Sequence, residues 1–378
     1  MEALFITSAI ILAYTFAIYP ALMAFSKKES TKRLDLSDDD LPKLTVVLAA
    51  HNCSKSVQGR IKNIYQSDYP LSKLKMIVVS DGSTDNTEHV LIELSSKISS
   101  LSYIHYNLNR GKAYAVSRAL KHVQTEFVAF CDVRQTFSKL ALRNMANALA
   151  NESVGAVTGN LIISEDNGNS QSDPGLYWKY EKWIRDNESS RKSMLGVTGA
   201  IYMAKKHLLP ERIPLDTILD DMYVPMHIIK NGHNVKMVND AYAYDVPSST
   251  LEEEFSRKVR TLAGNFQLMK LLPWLSVPVA NPLFFEWFSH KFCRLLVPYA
   301  MLGLMVSTSV MNSYLFNSVF ILQWCFYLYA LVSYLASKRQ KSIKFGSVCL
   351  SFCTLNMAAL IAGWKYLFLP TKALWHKH

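Results

Sequence analysis

The sequence has 378 residues, of which half are hydrophobic and only 19% are charged, below the roughly 25% usual for soluble proteins. This apolar content excludes an intrinsically disordered chain, and six cysteines in so long a chain exclude a disulfide-rich miniprotein. The 41 basic residues outnumber the 30 acidic ones, which gives a net charge of +11. The composition predicts that part of the chain lies in lipid.

The chain begins with an apolar segment. Residues 3–25 carry no charge and exceed the ~20 residues that cross a hydrocarbon core. A cleaved signal peptide is the alternative, but the segment starts with Met1 and Glu2 and is followed by basic residues instead of being preceded by them. We therefore predict a transmembrane anchor over residues 1–26 and a charged linker over residues 27–42.

Residues 43–270 alternate between apolar runs and segments with helical spacing. The predicted strands are Lys43–Ala50, Lys75–Ser80, Leu101–Tyr106, Glu126–Cys131 and Gly196–Ala204. The predicted helices are Ser54–Gln66, Thr84–Lys97, Gly111–Val123, Tyr177–Asn187, Thr217–Lys230 and Glu252–Lys270. The regular alternation in the first half indicates right-handed βαβ crossovers and a mostly parallel sheet, and hence an α/β fold.

The last hundred residues are again apolar. Residues 271–293 are rich in aromatic residues and interrupted by three prolines, so we predict an interfacial segment. Within residues 294–378, three uncharged runs predict about three transmembrane helices, at Leu295–Leu315, Phe316–Ala336 and Phe345–Gly363. The last run could instead be re-entrant or lie at the interface.

Basic clusters predict how the chain is oriented in the membrane. One cluster follows the first apolar segment and another separates the last two, and basic residues that flank membrane helices stay in the cytoplasm. The pattern predicts a multi-pass protein of the cell (inner or plasma) membrane with a cytoplasmic central domain. It leaves Lys372 and Lys377 outside, a mild violation of the rule. Nucleic acid is not an expected partner, because much of the positive charge flanks the predicted membrane helices, where anionic lipid is a sufficient partner.

Polar residues directly follow three of the predicted strands. His51 and Asn52 follow the first strand, Asp81 follows the second, and Asp132 and Arg134 follow the fourth. Ligands of open α/β sheets bind at the carboxyl ends of the strands. These five residues therefore form a candidate binding site.

Six motifs, in this order, resemble those of a known family. They are SDGSTDNT (Ser80–Thr87), NRGKAYAVSRAL (Asn109–Leu120), CDVRQ (Cys131–Gln135), VTGAIY (Val197–Tyr202), ILDDMYV (Ile218–Val224) and RKVRTLAGN (Arg257–Asn265). Over residues 40–290 the chain resembles the membrane-anchored, inverting family-two glycosyltransferases, which include hyaluronan, cellulose and poly-N-acetylglucosamine synthases and bacterial exopolysaccharide transferases. The resemblance implies a GT-A domain, which is Rossmann-like with a mostly parallel sheet, over residues 43–270.

The same resemblance implies roles in binding a nucleotide-sugar donor. Asp81 matches the carboxylate that reads the nucleotide, Lys112 matches a basic residue near the donor, and Arg260 matches an arginine on the diphosphate. His51 and Asn52 join this set as residues at a strand end. Structural alternatives remain open, because Asp81 lies in a sequence typical of a turn and helix cap, and a lysine in a first helical turn is usually solvated.

Asp132 matches the first Asp of the family's D-x-D motif. This implies a divalent cation, Mg²⁺ or Mn²⁺, with Asp132 as a ligand. The second Asp is replaced by Arg134, which can pair with phosphate or with a carboxylate such as Glu181 or Asp220. We expect that a cation is used and that Arg134 helps to hold phosphate or acceptor.

Asp221 matches the family's general base, which takes the proton of the acceptor hydroxyl. Asp220 and Arg257 are assigned to the acceptor side, although Asp220 could simply cap the following helix. In the motif Q-x-x-R-W of the synthases, this chain has Arg257 at the Gln and Thr261 at the Trp. The missing tryptophan argues against processive polymerisation.

Three functions follow from these residues. The first is transfer of one hexosyl or N-acetylhexosaminyl group to a lipid-linked or growing polysaccharide acceptor at the cytoplasmic membrane face. The second is a processive polysaccharide synthase that also translocates its polymer. The third is a non-catalytic, nucleotide-binding membrane scaffold. Expected partners are the nucleotide-sugar donor, the acceptor, membrane lipid and other polysaccharide-assembly proteins.

Overall fold

The structure, a computed structural model, describes residues 1–28, 33–164, 175–246, 251–339, 341 and 343–369. The strands are β1 (Leu44–Ala50), β2 (Leu74–Asp81), β3 (Leu101–Tyr106), β4 (Phe127–Cys131), β5 (Thr136–Phe137), β6 (Val154–Ile163), β7 (Ile201–Lys205) and β8 (Asn234–Asp245). The α-helices are α1 (Glu2–Ala13), α2 (Tyr19–Phe25), α3 (Val57–Tyr65), α4 (Thr87–Lys97), α5 (Lys112–Leu120), α6 (Ala141–Leu149), α7 (Gly175–Arg191), α8 (Asp220–Lys230), α9 (Leu251–Leu271), α10 (Phe284–Glu286), α11 (Cys293–Val310), α12 (Tyr314–Lys338) and α13 (Gly346–Phe368).

The chain divides into two compact units. The sheet unit comprises Lys28–Ser172 and Ser189–Pro247, and the helical unit comprises Met1–Lys27, Asp173–Glu188 and Ser248–His378. Helix α9 and most of α7 therefore belong to the helical unit, whereas the sequence placed both in one domain over residues 43–270. Parts of the predicted linker and C-terminus, including Lys372 and Lys377, lie outside the described residues.

The sheet unit is built on eight strands in the order β3-β2-β1-β4-β7-β6-β8-β5. Strands β1 to β4 run parallel, and α3, α4 and α5 make the crossovers between them. Strand β7 is antiparallel to both β4 and β6, β8 is parallel to β6, and β5 is antiparallel to β8. The predicted α/β fold with a mostly parallel sheet is confirmed.

Apolar residues explain why β1 and β4 lie in the interior of the sheet. Leu44, Val46 and Leu48 of β1 are fully buried, as are Val128 and Ala129 of β4. A strand that is covered on both faces needs a continuous apolar run, which is what both segments provide. The register pairs Leu48 with Cys131 and Ala50 with Ser80, so the carboxyl ends of β1, β2 and β4 meet at one edge.

The predicted strand at Gly196–Ala204 is wrong in its first half. The strand begins at Ile201, and the residues before it form a turn in which the Ile201 N–H donates to the oxygen of Thr198. The N–H of Val197 donates to the oxygen of Asp221, so this backbone binds the start of α8 instead of a strand. The structure also contains elements that the sequence analysis did not predict, namely β5, β6, β8 and α6.

Four helices in the described part of the helical unit are long and apolar enough to cross a membrane. They span Glu2–Phe25, Phe284–Val310, Tyr314–Lys338 and Gly346–Phe368. The second begins inside the stretch predicted to be interfacial, because a π-helical turn at Trp287–Phe292 joins α10 to α11. The prolines of that stretch all precede Phe284, so they do not interrupt the helix.

Close packing and a buried polar cluster join the helices of this unit. A Cβ on Gly303 of α11 would lie 2.6 Å from the hydroxyl of Ser8, so a small residue allows α1 to approach. The ring of His290 lies 2.6 Å from Glu188 and 2.7 Å from Glu181 through its two nitrogens. The hydroxyl of Tyr19 donates to Glu188 at 2.7 Å. These pairings satisfy charged groups of α7 that would be costly to bury alone.

Candidate functional site

Hydrogen bonds connect the loop after β1 to the end of β2 and the loop that follows it. His51 Nδ1 lies 2.7 Å from the backbone oxygen of Asp81. The Asn52 side-chain oxygen accepts a hydrogen bond of 2.8 Å from the N–H of Thr84, and Asn52 has a φ of 47°. Both side chains are exposed at the strand ends, where the sequence analysis placed them.

Asp81 holds the loop that leads into α5. Its carboxylate, in a residue only 4% exposed, accepts hydrogen bonds of 2.7 Å from the N–H groups of Arg110 and Gly111. The neighbouring Gly82 has a φ of +61°, and a Cβ there would lie 2.2 Å from the nitrogen of Asn109. Only glycine therefore allows this loop to approach the end of β2. The reading of a nucleotide by Asp81 stays a prediction.

Lys112, the first residue of α5, lies between two acids. Its ammonium group donates to Asp132 Oδ1 at 2.8 Å and lies 3.9 Å from Asp220 Oδ2. Burial would lower the pKa of Lys112, but the negative charges of Asp132 and Asp220 outweigh it and raise that pKa well above its ordinary value. Lys112 is therefore a charged group held inside the site, not a solvated surface lysine.

The two adjacent acids differ in their surroundings. Asp220 is 8% exposed, and its Oδ2 is buried without a hydrogen-bond partner among the described residues. Asp221 is half-buried, and a Cβ on Gly199 would lie 3.6 Å from its Oδ2 and 3.5 Å from Lys112 Nζ. The cap position of α8 is Leu219, so both acids lie in the first turn. There their negative charges interact favourably with the positive end of the helix dipole.

Arg134 pairs with an acid that the sequence did not single out. Its guanidinium donates to Asp245 Oδ2 at 2.5 Å, and the side-chain nitrogen of Gln135 donates to the same oxygen at 2.9 Å. Asp245 is 4% exposed and ends β8. Arg134 thus pairs with a carboxylate, which was one of the two alternatives from the sequence. The partner is Asp245, not Glu181 or Asp220.

Replacing Arg134 by methionine should lower the free energy of unfolding by about 1–3 kcal/mol, because the buried carboxylate of Asp245 loses a charged donor. Thermal unfolding of the detergent-purified protein measures this, with Arg212→Met at an exposed arginine as the control. Equal melting temperatures for wild type and Arg134→Met would contradict a stabilising role of the pair.

The donor set of the site bears on whether it can hold a metal. Within the described ranges, no group of three or more His, Cys, Asp or Glu residues could hold a metal ion. Asp132, the one carboxylate left in the D-x-D position, is bonded to Lys112. The residues therefore fit a cation that is shared with phosphate oxygens of a ligand, but not one held by the protein alone.

Two predicted residues belong to the other unit. Arg257 and Arg260 lie on α9, which packs against α13 within the helical unit. The stacked rings of Phe266 and Tyr366, 5.9 Å apart, are part of that packing. The roles of Arg257 toward the acceptor and of Arg260 toward the donor remain predictions.

The sequence analysis missed Tyr202. Its ring stacks on Phe130 with centroids 4.4 Å apart, and the residue is 1% exposed. Burial, and then the negative charge of Asp220, raise the pKa of Tyr202 well above its ordinary value. In the described part of the chain its hydroxyl has no hydrogen-bond partner. The motif VTGAIY ends on this tyrosine, which was the available signal.

Comparisons with known proteins agree with this architecture. Residues 45–209 match the family Glycosyl transferase family 2. Over these residues, the resemblance to family-two glycosyltransferases found in the sequence is confirmed.

Several relatives share this domain. The chain is similar to the poly-beta-1,6-N-acetyl-D-glucosamine synthase of Staphylococcus aureus (strain COL), with 24% identity over 246 residues that cover 63% of this chain and 58% of that protein. The synthase of Staphylococcus epidermidis is 24% identical over 242 residues, which cover 62% and 57% of the two chains. The chain thus spans less than two thirds of the length of these relatives.

A solved structure shows the same fold. The mannosyltransferase of Pyrobaculum calidifontis, in complex with GDP-Man and Mn²⁺, superposes with a TM-score of 0.73 over 97% of this chain and 99% of that chain. The two sequences are 20% identical. The likeness supports the GT-A-like fold of the sheet unit together with flanking apolar helices.

Proposed function

We propose that this protein is an inverting glycosyltransferase that moves a hexosyl or N-acetylhexosaminyl group from a nucleotide-sugar donor to a lipid-linked or growing polysaccharide acceptor. The observation that carries the proposal is that Lys112 and Asp132, which lie in the segment that matches Glycosyl transferase family 2, border the same space as Asp221 at the carboxyl edge of the sheet. Partly exposed acids and a charged lysine are the groups that such a transfer requires.

The reaction needs a base beside the acceptor. Asp221 takes the proton of the acceptor hydroxyl while that oxygen attacks the anomeric carbon of the donor. The bond from this carbon to the diphosphate oxygen breaks, its electron pair leaves with the nucleoside diphosphate, and a single displacement inverts the anomeric configuration. The space in front of Asp221 is bordered by Gly199, where a Cβ would only make ordinary van der Waals contact with the carboxylate, at 3.6 Å from Oδ2.

Positive charge is needed on the opposite side, where the diphosphate leaves. Lys112 supplies one such charge, and Asp132 would hold a divalent cation together with the donor. When bound, the cation offsets the negative charge that develops on the leaving diphosphate. His51, Asn52 and Asp81 then form the nucleotide side of the donor site.

The donor can be identified with purified protein. We expect that one or a few members of a nucleotide-sugar panel release nucleoside diphosphate, and that membrane lipid extract raises the rate by supplying acceptor. Release from none of the donors, together with tight nucleotide binding, would support the non-catalytic scaffold instead.

A processive synthase is the second candidate, because the curated relatives are synthases of a polymer. Product length separates the two functions. A ladder of long products from one acceptor would establish processivity, whereas a product extended by one residue supports single addition. We expect single addition, since Thr261 stands where the synthases have a tryptophan.

The proposed topology places the sheet unit in the cytoplasm of a multi-pass membrane protein. Four apolar helices then put the loop between α11 and α12 outside, and basic residues around Lys338 inside. In a cysteine-free background, an impermeant maleimide should label Asn312→Cys in intact cells. It should label Lys121→Cys, on the sheet unit, only after permeabilisation. Labelling of Lys121→Cys in intact cells would overturn the topology.

A further inference from the structure

Lys112 lies where carboxylates from different elements converge. Its ammonium group is bonded to Asp132, which follows β4, and lies 3.9 Å from Asp220 on α8. The hypothetical Cβ of Gly199 is 3.5 Å from this ammonium and 3.6 Å from Asp221 Oδ2, so the third carboxylate borders the same space above Gly199. A cation that approaches Asp132 must therefore compete with a lysine already present.

Asp220 offers Lys112 a second acceptor. Its Oδ2 is buried and has no hydrogen-bond partner within the described residues, although buried carboxylate oxygens are almost always bonded. The separation of 3.9 Å from Lys112 Nζ exceeds a hydrogen bond by about 1 Å, which a small rotation of a flexible lysine side chain can close. An unused acceptor 3.9 Å from the ammonium of a long side chain indicates a second position for that ammonium.

We propose that the ammonium of Lys112 is bonded to Asp132 before the donor binds. When the donor arrives with its cation, this ammonium moves to Asp220. Asp220 is then a positioning residue, which acts by receiving Lys112. This inference rests on the proposed function. It predicts an order of binding, in which the divalent cation enters with the donor diphosphate and is not held beforehand.

The charges around the site explain why both positions are needed. Asp132, Asp220 and Asp221 are three acids against one lysine, so a diphosphate cannot approach without further positive charge. The D-x-D position contributes only Asp132 as a carboxylate, because Arg134 replaces the second Asp, and the charge of Arg134 is already paired with Asp245. Once Asp132 shares the cation with the diphosphate, Lys112 loses this partner, and its three N–H donors can then serve Asp220 and the diphosphate oxygens together. Close to Lys112, Asp220 offers an oxygen, Oδ2, that is buried and has no hydrogen-bond partner in the described part of the chain.

The first test measures Mn²⁺ alone, by electron paramagnetic resonance on the detergent-purified chain without nucleotide. Wild type should bind weakly, and Lys112→Met should bind at least tenfold more tightly, because the acids lose their internal cation. Lys112→Arg keeps the charge and should bind Mn²⁺ as weakly as wild type, as should Lys121→Met at the residue directly after α5. Equal affinities for wild type and a folded Lys112→Met would overturn the first position.

The second test measures binding of Mn²⁺ with UDP or GDP to variants of Asp220. Affinity should fall in the order wild type, Asp220→Asn, Asp220→Leu, with a loss of at least fivefold for leucine, because Lys112 loses its second acceptor. If Asp220 merely repels the diphosphate, the order reverses and both variants bind more tightly, which overturns the second position. If neither nucleotide binds wild type, the same series is measured with ADP, CDP and dTDP, and binding of none of the five overturns the proposed function together with this second step. If wild type binds nucleotide normally but the first or the second test gives its contrary result, this inference is overturned and the proposed function is not affected.

Discussion

Replacing Asp221 by asparagine should lower the rate of transfer at least a hundredfold while leaving nucleotide affinity nearly unchanged. Asparagine has the same shape but cannot accept a proton, and general-base catalysis typically contributes ~10²–10⁴ in rate. The initial rate of nucleoside diphosphate release gives the first quantity, and calorimetric titration with the nucleotide gives the second.

Asp216→Asn is the matched control for this experiment. Asp216 is an exposed acid shortly before α8, and its φ of 62° is a conformation that asparagine also tolerates. The control should transfer sugar at the parent rate. If Asp221→Asn does so too, Asp221 is not the base, and another acid of the site must take the proton.

Replacing Asp81 by alanine should weaken both the fold and donor binding. The N–H groups of Arg110 and Gly111 would lose an acceptor that each now contacts at 2.7 Å, which costs about 1–3 kcal/mol of unfolding free energy. The loop that positions Lys112 would loosen, so we expect nucleotide affinity to fall at least tenfold. Asp81→Asn keeps one carbonyl acceptor and should be intermediate in both measurements.

Thermal unfolding and nucleotide titration together separate two roles of Asp81. Asp35→Ala, at an exposed acid of the same unit, controls for the loss of one negative charge. A lower melting temperature together with weaker binding supports the positioning role that the hydrogen bonds indicate. An unchanged melting temperature with lost binding would show instead that Asp81 acts mainly by touching the nucleotide, as the family resemblance implies.

Local sequence was enough for the first half of the sheet but not for the second. Strands β1 to β4 are short apolar runs separated by helices, and their parallel order follows from the handedness of the crossovers. Strand β6 pairs with β8, and Val154 lies opposite Asn234, far away in the chain. Such pairing depends on tertiary contacts, so β6 and β8 were missed. The turn before β7 was missed because Asp221, outside that segment, binds its backbone.

The site divides in the same way. Motif order identified Asp132, Lys112 and Asp221, and the structure brings these residues together at the sheet edge. The order of the motifs gave no information about the partner of Arg134. Asp245 reaches Arg134 only through the pairing of β5 with β8. Nor could spacing show that Lys112 would be bonded to Asp132. Pairings between side chains on separate elements are set by packing, which motifs do not encode.

The most direct test of the account is the anomeric configuration of the product, measured by NMR on sugar transferred by the purified protein from the donor that the panel identifies. With Asp221 as a base and a single displacement, the new bond should have the configuration opposite to that of the donor, and Asp221→Asn should form it at least a hundredfold more slowly. A product that retains the donor configuration, or the absence of any transfer from every nucleotide sugar, would contradict the account.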